Sequence, residues 1–583
     1  MDILFVNAQE SMELRSEVNG QLLLGTMLLQ AGFDVDILRF CQIEGFKGDY
    51  VTFVQNAVQS IVQTAPKAVC FYSLWPEYHI VLRIARQLKA VRKDIHVILG
   101  GPQPSATARE TMQAMPFVDA ICTGEGEMTV VPFFTALLRN GGAGLDQIPG
   151  LYYRDGGVVV HNELEHPLCD LNALPHWDDR LYRKHYPAKE RSWSSPTFFM
   201  PIDAGRGCPY RCTFCCSSTF WRRTYRMKSS ERIMEDIRFF YQKFGIRSFW
   251  FSHDAFTVNM ELVEEICDRI IDEGLDITWK CATRVDRIDR DLILKMKRAG
   301  LTRIEMGIET GSQRMQKLIN KNLKLDMVRE NVRFLVEQGI ETIAFFIHGF
   351  PDETEQELVD TLELALDLLD AGIYDASMNF CRFNPTTVMT QQFFQQLKLN
   401  PALDVLNRSI YGYENELDAI SGHKALFPYY YHVENELGER YQYLRYFIHT
   451  LKTFSLSRPY IRKAFGGDTA ALVRAFFDAN PEAFTNGIEV ASHWARYRPQ
   501  QLLYNMLDRL ERPEVKQLKA LVKFEFDRNT VFRAKEDCTV INEYDFCYTD
   551  LKQRRPLAEF REGTSTLLLQ KKAGKFSVMM LKN

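Results

Sequence analysis

The sequence lacks the marks of a membrane protein, of a secreted protein and of a nucleic-acid-binding protein. It has no run of about 18 or more apolar residues, the length that crosses a bilayer as a helix. Its first residues, Met1 to Val6, read as a β-strand rather than as a charged, cleavable signal. Lys and Arg number 71 against 75 Asp and Glu, and a net charge of −4 gives no overall attraction to phosphate backbones. We therefore expect a cytoplasmic protein without a membrane span, and nucleic acid is not expected as its main partner.

A disulfide framework is absent as well. Most of the 13 cysteines are scattered singly inside apolar runs, as Cys70, Cys122 and Cys281 are. Isolated thiols of this kind suit a reducing compartment. At 583 residues the chain is too long for one hydrophobic core, and we expect roughly three or four domains.

Residues 1–140 alternate strand-like and helix-like segments, which predicts a doubly wound, Rossmann-like α/β domain with a parallel sheet. The predicted strands are Ile3 to Asn7, Phe33 to Leu38, Ala68 to Ser73, His96 to Leu99 and Phe117 to Cys122. Ligands of such sheets bind beyond the carboxyl ends of the strands. Three of these ends carry the candidates for lining a crevice: Ser73, Leu74, Trp75, Gly100, Gly101, Pro102, Gly124, Glu125, Gly126 and Glu127.

The fingerprint of a nicotinamide cofactor is missing from this domain. A G-x-G-x-x-G sequence should follow the first strand. The residues there are Asn7-Ala8-Gln9-Glu10-Ser11-Met12. A dehydrogenase of the dinucleotide-binding type is therefore not expected.

Residues 141–195 read as a connector, with a small hairpin predicted from Gly150 to His161. From 196 to 395 strand and helix alternate again in six βα units. Six units predict a partial, TIM-like (β/α)6 barrel, whose active face lies at the carboxyl ends of its strands.

From 396 to 583 the period becomes mostly helical, and a hairpin is predicted near the end, from Ser565 to Leu581. This region carries no recognised motif, and we expect it to set substrate choice. Its aromatic run from Tyr429 to His432 either lines a substrate cavity or fills a corner of the core.

Three cysteines follow the first predicted barrel strand, Phe198 to Ile202, on one short loop: Cys208, Cys212 and Cys215. Soft thiolates favour zinc or iron–sulfur clusters. A structural zinc needs a fourth ligand, and Cys216 fits that role poorly because neighbouring residues on an extended chain point in opposite directions. Three thiolates on a four-iron cluster would instead leave one iron open to a small molecule.

The other five predicted barrel strands also end in polar residues or glycine. These ends carry His253-Asp254, Thr283-Arg284, Gly307-Ile308-Glu309-Thr310-Gly311, His348-Gly349-Phe350 and Arg382-Phe383-Asn384. Six strand ends of this kind, one of which carries the cysteine loop, predict a single functional rim at the carboxyl ends of the strands.

The three cysteines, with Phe214 before the third, resemble the radical S-adenosylmethionine (SAM) superfamily. The resemblance implies a [4Fe–4S] cluster on Cys208, Cys212 and Cys215, an open iron that chelates SAM, and cleavage of SAM to a 5′-deoxyadenosyl radical. His253 departs from the acidic residue usual at its position, and Arg284 could equally form a salt bridge with Glu309. The SAM contacts that the resemblance implies are Phe214, Asp254, Arg284, Glu309, Lys321, Gly349 and Phe350.

The turns of the N-terminal domain resemble the cobalamin (B12)-binding domain that precedes many radical SAM barrels. The D-x-H-x-x-G motif of mutase-type cobalamin domains is absent. The resemblance therefore implies base-off cobalamin without a His ligand, with Trp75 as the bulky side chain beneath the cobalt. A core aromatic at a strand end is the alternative for Trp75, and His79 is expected to be a surface residue rather than a ligand.

Together the two resemblances, which cover residues 1–395, imply a cobalamin-dependent radical SAM enzyme. The leading hypothesis is a methyltransferase that acts on an unactivated carbon or phosphorus centre through the 5′-deoxyadenosyl radical and methylcobalamin. One alternative is ring formation, rearrangement or oxidation without methyl transfer, and another is a cobalamin or iron sensor without turnover. We expect a small-molecule or peptide substrate and a reducing partner such as flavodoxin or ferredoxin.

Overall fold

The computed structural model of the chain describes residues 1–8, 19–163, 168–185, 199–399, 411–435, 443–484, 499–512, 514–534, 538–544, 546, 548–553, 564–572 and 575–582. Some predicted positions lie outside these residues. They are Gln9 to Met12 after the first strand, Phe198 of the first barrel strand, parts of the connector, and Ala573 and Gly574 in the turn of the terminal hairpin.

The N-terminal part of the chain forms a seven-stranded sheet in the order β2-β1-β3-β4-β5-β6-β7, and β1 to β5 are parallel. Its strands β1 and β3 are apolar and largely buried, as parallel strands between two helix layers are. The predicted doubly wound α/β fold is confirmed. Its elements are β1 (Ile3–Asn7), α1 (Asn19–Gln30), β2 (Val35–Arg39), α2 (Tyr50–Thr64), β3 (Ala68–Tyr72), α3 (Tyr78–Val91), β4 (His96–Gly100), α4 (Pro102–Ala106), α5 (Ala108–Ala114), β5 (Ala120–Cys122), α6 (Val130–Leu138), β6 (Leu151–Asp155) and β7 (Val158–His161).

The predicted hairpin is β6 and β7, and it extends this sheet rather than standing in a separate connector. β6 pairs antiparallel with β5, with Ala120 opposite Tyr153. The Arg154 guanidinium donates to the main-chain carbonyls of Met112 and Val118, which fixes β6 against the end of α5. The hairpin thereby covers the edge that the short β5 would otherwise expose.

The second sheet has six parallel strands that lie side by side in chain order, β8, β11, β12, β13, β14 and β15. The predicted partial (β/α)6 barrel is confirmed, and all six carboxyl ends share one rim. The elements of this part are α7 (Asp179–His185), β8 (Met200–Asp203), β9 (Gly205–Gly207), α8 (Ser217–Phe220), β10 (Tyr225–Met227), α9 (Ser230–Phe244), β11 (Ser248–Ser252), α10 (Met260–Asp272), β12 (Thr278–Arg284), α11 (Arg290–Arg298), β13 (Leu301–Glu309), α12 (Gln313–Leu318), α13 (Leu325–Glu337), β14 (Glu341–His348), α14 (Glu355–Ala371) and β15 (Asp375–Phe380).

The C-terminal part is mostly helical, as predicted, and ends in a three-stranded antiparallel sheet, β18-β19-β20. β19 and β20 are the predicted hairpin, whereas β18 was not predicted because its residues alternate between exposed and half-buried without an apolar run. None of the helices in the described stretches is long and apolar enough to cross a bilayer. The elements are α15 (Val388–Phe393), β16 (Lys398–Leu399), α16 (Leu417–Gly422), β17 (Tyr431–His432), α17 (Leu444–Thr453), α18 (Arg458–Ala464), α19 (Thr469–Asp478), α20 (Pro499–Leu507), α21 (Val515–Arg533), β18 (Cys538–Tyr544), α22 (Tyr548–Lys552), β19 (Ser565–Lys572) and β20 (Lys575–Lys582).

Residues 411–433 pack against both the N-terminal sheet and the barrel in one hydrophobic cluster. The His79 ring, at the start of α3, lies with Nδ1 2.7 Å from the Tyr430 hydroxyl and Nε2 3.0 Å from the main-chain oxygen of Tyr411. The expectation that His79 is a surface residue is therefore wrong, because a segment distant in the sequence covers it. Burial lowers the pKa of His79 to about 4, so its ring is neutral at pH 7.

Candidate active site

The cysteine loop leaves β9, a short strand that pairs antiparallel with β10. A Cβ on Gly205 would collide with the carbonyl oxygen of Arg226, and one on Gly207, where φ is +88°, would collide with that of Thr224. Glycine at both positions is what permits this close approach. The sequence Gly205-Arg206-Gly207 therefore fixes where the loop begins.

Backbone hydrogen bonds hold the loop against the rim of the barrel. The Thr213 amide donates to the Ile319 carbonyl at 3.0 Å, and the Met389 amide donates to the Thr213 carbonyl at 2.9 Å. The Phe214 ring lies edge-on to that of Phe350, with 6.0 Å between centroids. The loop is thus packed between the end of α12 and the start of α15.

The donor set of Cys208, Cys212 and Cys215 fits a cluster better than a single metal ion. Burial raises the pKa of all three thiols, that of Cys215 to about 12, so a bound cation is what would stabilise their thiolates. In the described residues the three sulfurs do not form a set whose members lie within 4.8 Å of one another. Thiolates around one zinc lie about 4 Å apart. At least one pair of these sulfurs is therefore farther apart than two ligands of a single zinc ion.

β11 delivers His253 and Asp254 to the rim in different surroundings. Asp254 is exposed, and its Oδ2 accepts a hydrogen bond from Ser217 Oγ at 2.5 Å, which places the carboxylate beside the cysteine loop. His253 is buried, and its Nδ1 accepts from the Ala255 amide at 2.9 Å. Burial lowers the pKa of His253, against the opposing charge of Asp254. His253 therefore holds the turn, and Asp254 stays the predicted SAM contact.

Glu309 and Lys321 form a buried ion pair on the rim. Glu309 Oε1 lies 2.6 Å from Lys321 Nζ, and the side chains are 9% and 7% exposed. Glu309 has φ +72°, in the left-handed region uncommon for residues other than glycine, at an irregularity in the β13–β14 pairing. A Cβ on Gly307 would collide with the Glu309 carboxylate. Strain of this kind is typical of functional sites, and here it places a carboxylate on the rim.

Arg284 does not pair with Glu309, although that pairing was one alternative. Its Nε and Nη2 donate to the Asp286 carboxylate at 2.9 and 2.8 Å, and Nη2 also donates to the Lys321 carbonyl at 2.8 Å. Asp286, two residues away, offers a bidentate partner, and Glu309 is already neutralised by Lys321. Arg284 Nη1 lies 3.9 Å from Cys212 Sγ, so Arg284 is a cation beside the cysteine loop.

Gly349 and Phe350 form a tight turn after β14. Gly349 has φ +79°, and a Cβ there would collide with the Phe380 ring. Its amide donates to Glu353 Oε2 at 2.6 Å. Burial raises the pKa of Glu353 to about 8, against the opposing effect of the amides of Gly349 and Phe350. Phe350 is fully buried, so the main chain of Gly349 and Phe350, rather than the Phe350 side chain, is what reaches the rim. The packing of this stretch on the adenine of SAM stays a prediction.

Trp75 lies beyond the end of β3, where the N-terminal sheet has its topological switch point. β1 is paired with β2 on one side and β3 on the other, and ligands of doubly wound sheets bind in the crevice at such a point. Ser73 is buried and donates from Oγ to the Leu74 carbonyl at 2.7 Å. Trp75 is half-buried, and of these three predicted residues it is the one that lines the cavity at the rim.

At the end of β4, main-chain atoms are accessible to a ligand at the carboxyl edge of the N-terminal sheet. A Cβ on Gly100 would meet only the Cys122 carbonyl oxygen, at 3.9 Å. Gly101 has φ +100°, and a Cβ there would lie 2.8 Å from the Tyr72 ring. Pro102 then begins α4. A bulky ligand could therefore approach the backbone at Gly100 closely.

Glu125 and Glu127 do not turn their carboxylates toward the crevice. Arg206 Nη1 lies 3.2 Å from Glu125 Oε2, Arg206 Nη2 lies 2.6 Å from Glu127 Oε1, and Arg226 also pairs with Glu125. These ion pairs are buried and join the N-terminal sheet to β9 and β10. In the turn from Gly124 to Glu127, the predicted contact with cobalamin can therefore be made by the main chain and not by the two carboxylates.

The same carboxylates, with Cys169, lie close enough to hold a metal ion. Arg206 supplies the positive charge there instead, since its Nη1 is 3.8 Å from Cys169 Sγ as well as in contact with Glu125. This cluster is therefore an inter-domain ion pair rather than a metal site.

A cavity of about 360 Å³ joins the two parts of the molecule at the rim. Trp75 reaches it from the N-terminal sheet, Phe214 from the cysteine loop and Glu309 from β13. Nothing in the sequence pattern marks Arg445, which reaches the cavity from α17. The remaining lining residues are Phe345, Ile347, His348, Met378, Asn379, Phe380, Cys381, Arg382, Asn384 and Tyr429.

Two family models match the chain. The model of the radical SAM superfamily matches residues 202–365, which include the cysteine loop and Glu309. The model of the B12 binding domain matches residues 12–133, which include Trp75 and the turns after β4 and β5.

Curated relatives share parts of the chain. An uncharacterized methyltransferase of Pyrococcus horikoshii is 33% identical over 49% of this chain and 61% of its own length. An anaerobic magnesium-protoporphyrin IX monomethyl ester cyclase of Rubrivivax gelatinosus is 28% identical over 53% of this chain and 56% of its own length. The chain therefore spans less than two thirds of these relatives.

Solved structures share the fold over most of the chain. The cobalamin-dependent S-adenosylmethionine radical enzyme OxsB with aqua-cobalamin bound has a TM-score of 0.54 at 16% identity, and the match covers 91% of this chain and 80% of that chain. The likeness extends through both α/β parts and shows a common architecture.

Proposed function

We propose that the chain, whose residues 202–365 match the radical SAM family model and whose residues 12–133 match the B12 binding domain model, is a cobalamin-dependent methyltransferase that acts on an unactivated carbon or phosphorus centre. The observation that carries the proposal is the cavity shared by Trp75, Phe214 and Glu309. A methyl carrier on the first domain and a radical formed at the second can act on one substrate only where their sites meet. The Pyrococcus relative, named as a methyltransferase, supports the same reading.

We assign a different ligand to each of the two α/β parts and the substrate to the C-terminal part. Residues 1–140 would bind cobalamin, residues 196–395 would bind the cluster and SAM, and residues 396–583 would set substrate choice. The stretch 141–195 connects them, although its hairpin extends the first sheet.

Cys208, Cys212 and Cys215 would hold the [4Fe–4S] cluster, and the iron without a protein ligand would bind SAM. When bound, the cluster supplies the electron that cleaves SAM to the 5′-deoxyadenosyl radical, and cobalamin carries the methyl group. We assign the exposed carboxylate of Asp254 to the SAM amine. Arg284, 3.9 Å from Cys212 Sγ, favours the thiolate form of that ligand.

The Glu309–Lys321 pair would meet the polar end of SAM. A buried ion pair has little freedom to reorient, so its hydrogen-bonding atoms are held ready for the ligand. Phe214, Phe345 and Phe380 surround the same cavity. Their rings exclude water, which protects a radical from side reactions.

Cobalamin would bind in the base-off form, without a His ligand, at the carboxyl edge of the N-terminal sheet. The open main chain at Gly100 fits the close approach of a corrin. Trp75 is the side chain that we assign beneath the cobalt. His79, the histidine nearest to Trp75 in the sequence, has both ring nitrogens in hydrogen bonds with Tyr430 and Tyr411, so it is not free to ligate.

We propose a flavodoxin or a ferredoxin as the reducing partner and a small molecule or a peptide as the substrate. The cysteines of the described residues form no disulfide bond with one another. Cysteines outside disulfide bonds and a reducible cluster both suit the cytoplasm, which we propose as the location of the protein.

Anaerobic reconstitution tests the proposal. The full chain is loaded with iron, sulfide and cobalamin and reduced with SAM present, and the cobalamin spectrum, 5′-deoxyadenosine and S-adenosylhomocysteine are measured. Methyl transfer predicts a bound corrin and both SAM products. Formation of 5′-deoxyadenosine with neither S-adenosylhomocysteine nor a bound corrin would contradict methyl transfer.

A second candidate is ring formation, rearrangement or oxidation without methyl transfer. The Rubrivivax relative, named as a cyclase, favours it. This candidate predicts 5′-deoxyadenosine and a bound corrin without S-adenosylhomocysteine. A sensor would bind the same cofactors and release neither product.

A further inference from the structure

The guanidinium of Arg284 is held in one orientation between the barrel rim and the cysteine loop. Arg284 is the last residue of β12 and is buried. Its Nε and Nη2 donate to the two carboxylate oxygens of Asp286, and Nη2 also donates to the Lys321 carbonyl. A planar guanidinium that is bound along one edge has little freedom to rotate. The position of its third nitrogen, Nη1, is therefore fixed as well.

This third nitrogen faces one of the proposed cluster ligands. Arg284 Nη1 donates toward Cys212 Sγ across 3.9 Å. The Asp286 carboxylate occupies the edge formed by Nε and Nη2 and does not compete for the Nη1 donor. Because the guanidinium is buried, its electrostatic effect on the sulfur is screened less than it would be in water. The contact is thus a charge-assisted N–H···S interaction in a protected place.

Tyr210, on the cysteine loop itself, packs on the same guanidinium. The Arg284 guanidinium carbon lies 3.8 Å from the centroid of the Tyr210 ring, a close cation–π contact. The exposed Arg287 donates from Nε to the Tyr210 hydroxyl at 2.5 Å, which holds the ring in place. Arg284 therefore contacts the loop at both Tyr210 and Cys212, and the loop and the guanidinium keep one relative position.

A donor at Cys212 has a consequence for electron transfer. Hydrogen bonds to the sulfurs are among the factors that set the reduction potential of an iron–sulfur cluster. Reduction adds one negative charge, so a nearby guanidinium stabilises the reduced form more than the oxidised form. Such a contact raises the reduction potential, and less driving force is then needed from the reducing partner.

We propose that Arg284 is a positioning residue that holds a guanidinium N–H on the Cys212 sulfur and thereby raises the reduction potential of the cluster. The step that it favours is the one-electron reduction of [4Fe–4S]²⁺ to [4Fe–4S]⁺, with the electron supplied by the proposed flavodoxin or ferredoxin. The inference rests on the proposed function, because it needs a cluster on the three assigned cysteines. The alternative is a purely structural salt bridge with Asp286, which predicts an effect on stability and none on the potential.

The reduction potential of Arg284→Gln separates the two roles. The full chain is reconstituted anaerobically with iron and sulfide, without SAM, and electron paramagnetic resonance measures the fraction of reduced cluster at controlled potentials. The equilibrium constant for reduction should fall about tenfold, because a hydrogen bond to a charged group is worth at least that much. For one electron this fall corresponds to about 59 mV. An unchanged potential at native iron content would overturn the inference.

Two further variants identify the cause of a shift. Arg287→Gln is the matched control, because Arg287 carries the same charge and contacts the same Tyr210 ring from an exposed position. Its potential should equal the native one. Arg284→Lys keeps a positive charge beside Cys212 and should recover at least half of the loss. A fall in either variant as large as that in Arg284→Gln would assign the shift to surface charge or to the lost salt bridge, and would overturn the inference.

Isotope labelling tests the contact in the native protein, without a substitution that could disturb the loop. The full chain is produced with arginine labelled with ¹⁵N at both Nη atoms, reconstituted and reduced, and electron–nuclear double resonance is recorded on the paramagnetic cluster. A ¹⁵N coupling is expected in the native protein and should be absent from labelled Arg284→Lys. A native cluster without this coupling would overturn the inference alone. A native protein that forms no cluster would overturn the proposed function as well.

Discussion

Glu309 shows what single residues contribute to this rim. Its left-handed backbone and buried carboxylate are both unfavourable by themselves. Lys321 compensates the charge, and Gly307 leaves room for the carboxylate. Buried ion pairs add little net stability, but removal of one partner leaves an uncompensated charge. We therefore propose that the pair serves ligand binding rather than stability.

Lys321→Met should lower the free energy of unfolding by about 3 to 5 kcal/mol, because it leaves the Glu309 carboxylate buried and unpaired. The double variant Glu309→Gln/Lys321→Met should recover most of that loss. Neither variant should bind SAM with the native affinity. Urea unfolding and calorimetric titration of SAM measure the two effects. Native SAM affinity in the double variant would contradict the assignment of this pair to SAM.

The cysteine loop permits a matched comparison of neighbouring thiols. Cys215→Ala should abolish the cluster, since Cys215 is one of the three proposed ligands. Cys216→Ala should retain it, because Cys216 stands at the start of α8 rather than among the three ligands. Iron content and the visible absorption of the anaerobically reconstituted variants report the outcome. A cluster lost in the Cys216 variant and kept in the Cys215 variant would reverse the ligand choice.

At the scale of elements, α3 and the segment 411–433 meet at His79. Folding buries the ring in its neutral form, with a pKa of about 4 against 6.5 in the unfolded chain. Between these two pH values the unfolded chain binds the extra proton at His79, so the contribution of His79 to stability falls as pH drops from 6.5 to 4 and changes no further below 4. The loss amounts to about 3 kcal/mol.

His79→Gln should therefore flatten the pH dependence of stability in this window. The variant keeps a polar side chain beside Tyr430 but carries no group that titrates there. The urea midpoint of each protein is measured at pH 7 and pH 4.5, and the fall between them should be smaller in the variant. Equal falls would mean that the ring is not buried in its neutral form.

The ion pairs of Arg206 link a second pair of elements, the turn after β5 and the strand β9 that begins the cysteine loop. Arg206→Gln would leave Glu125 and Glu127 buried with less compensating charge. We expect a large fall in the thermal midpoint. We also expect faster proteolysis of the cysteine loop, because the loop loses its anchor to the N-terminal sheet.

Two controls separate this effect from a general loss of charge. Arg238→Gln removes an arginine that pairs with Glu231 and Glu273 on partly exposed helices, and it should change stability by well under 1 kcal/mol. The triple variant Arg206→Gln/Glu125→Gln/Glu127→Gln should regain part of the lost stability. No difference between the Arg206 and Arg238 variants would show that the inter-domain pairs are not formed.

For the whole molecule, the local pattern of apolar residues in the sequence predicts the strands and the residues at their ends. The alternation of apolar runs marks both sheets, and the residues after each strand mark the rim. Contacts between distant segments are not encoded in such patterns. The pairing of β6 with β5, the cover over His79, the partners of Glu125 and the position of Arg445 all depend on packing between segments far apart in the chain.

The same limit applies within the site. Glu309 and Lys321 could each be predicted as site residues from their positions at the end of β13 and shortly after α12. Their mutual contact depends on an irregularity in the β13–β14 pairing, which no residue pattern in the sequence predicts. Arg284 was open to two partners, and the nearer Asp286 is the one that it contacts. The candidate residues are thus readable from the sequence, whereas their pairing is not.

Cooperation of the two cofactor sites in methyl transfer, through one shared cavity, is the proposal on which the function of this protein depends. Its most direct test is the fate of the methyl group of trideuteromethyl-labelled SAM, added to the reduced, anaerobically reconstituted full chain and followed by mass spectrometry of the protein-bound corrin. Methyl transfer through cobalamin predicts a trideuteromethyl group on the corrin and S-adenosylhomocysteine in equal amount. A corrin that stays unlabelled while SAM is converted to 5′-deoxyadenosine would contradict it.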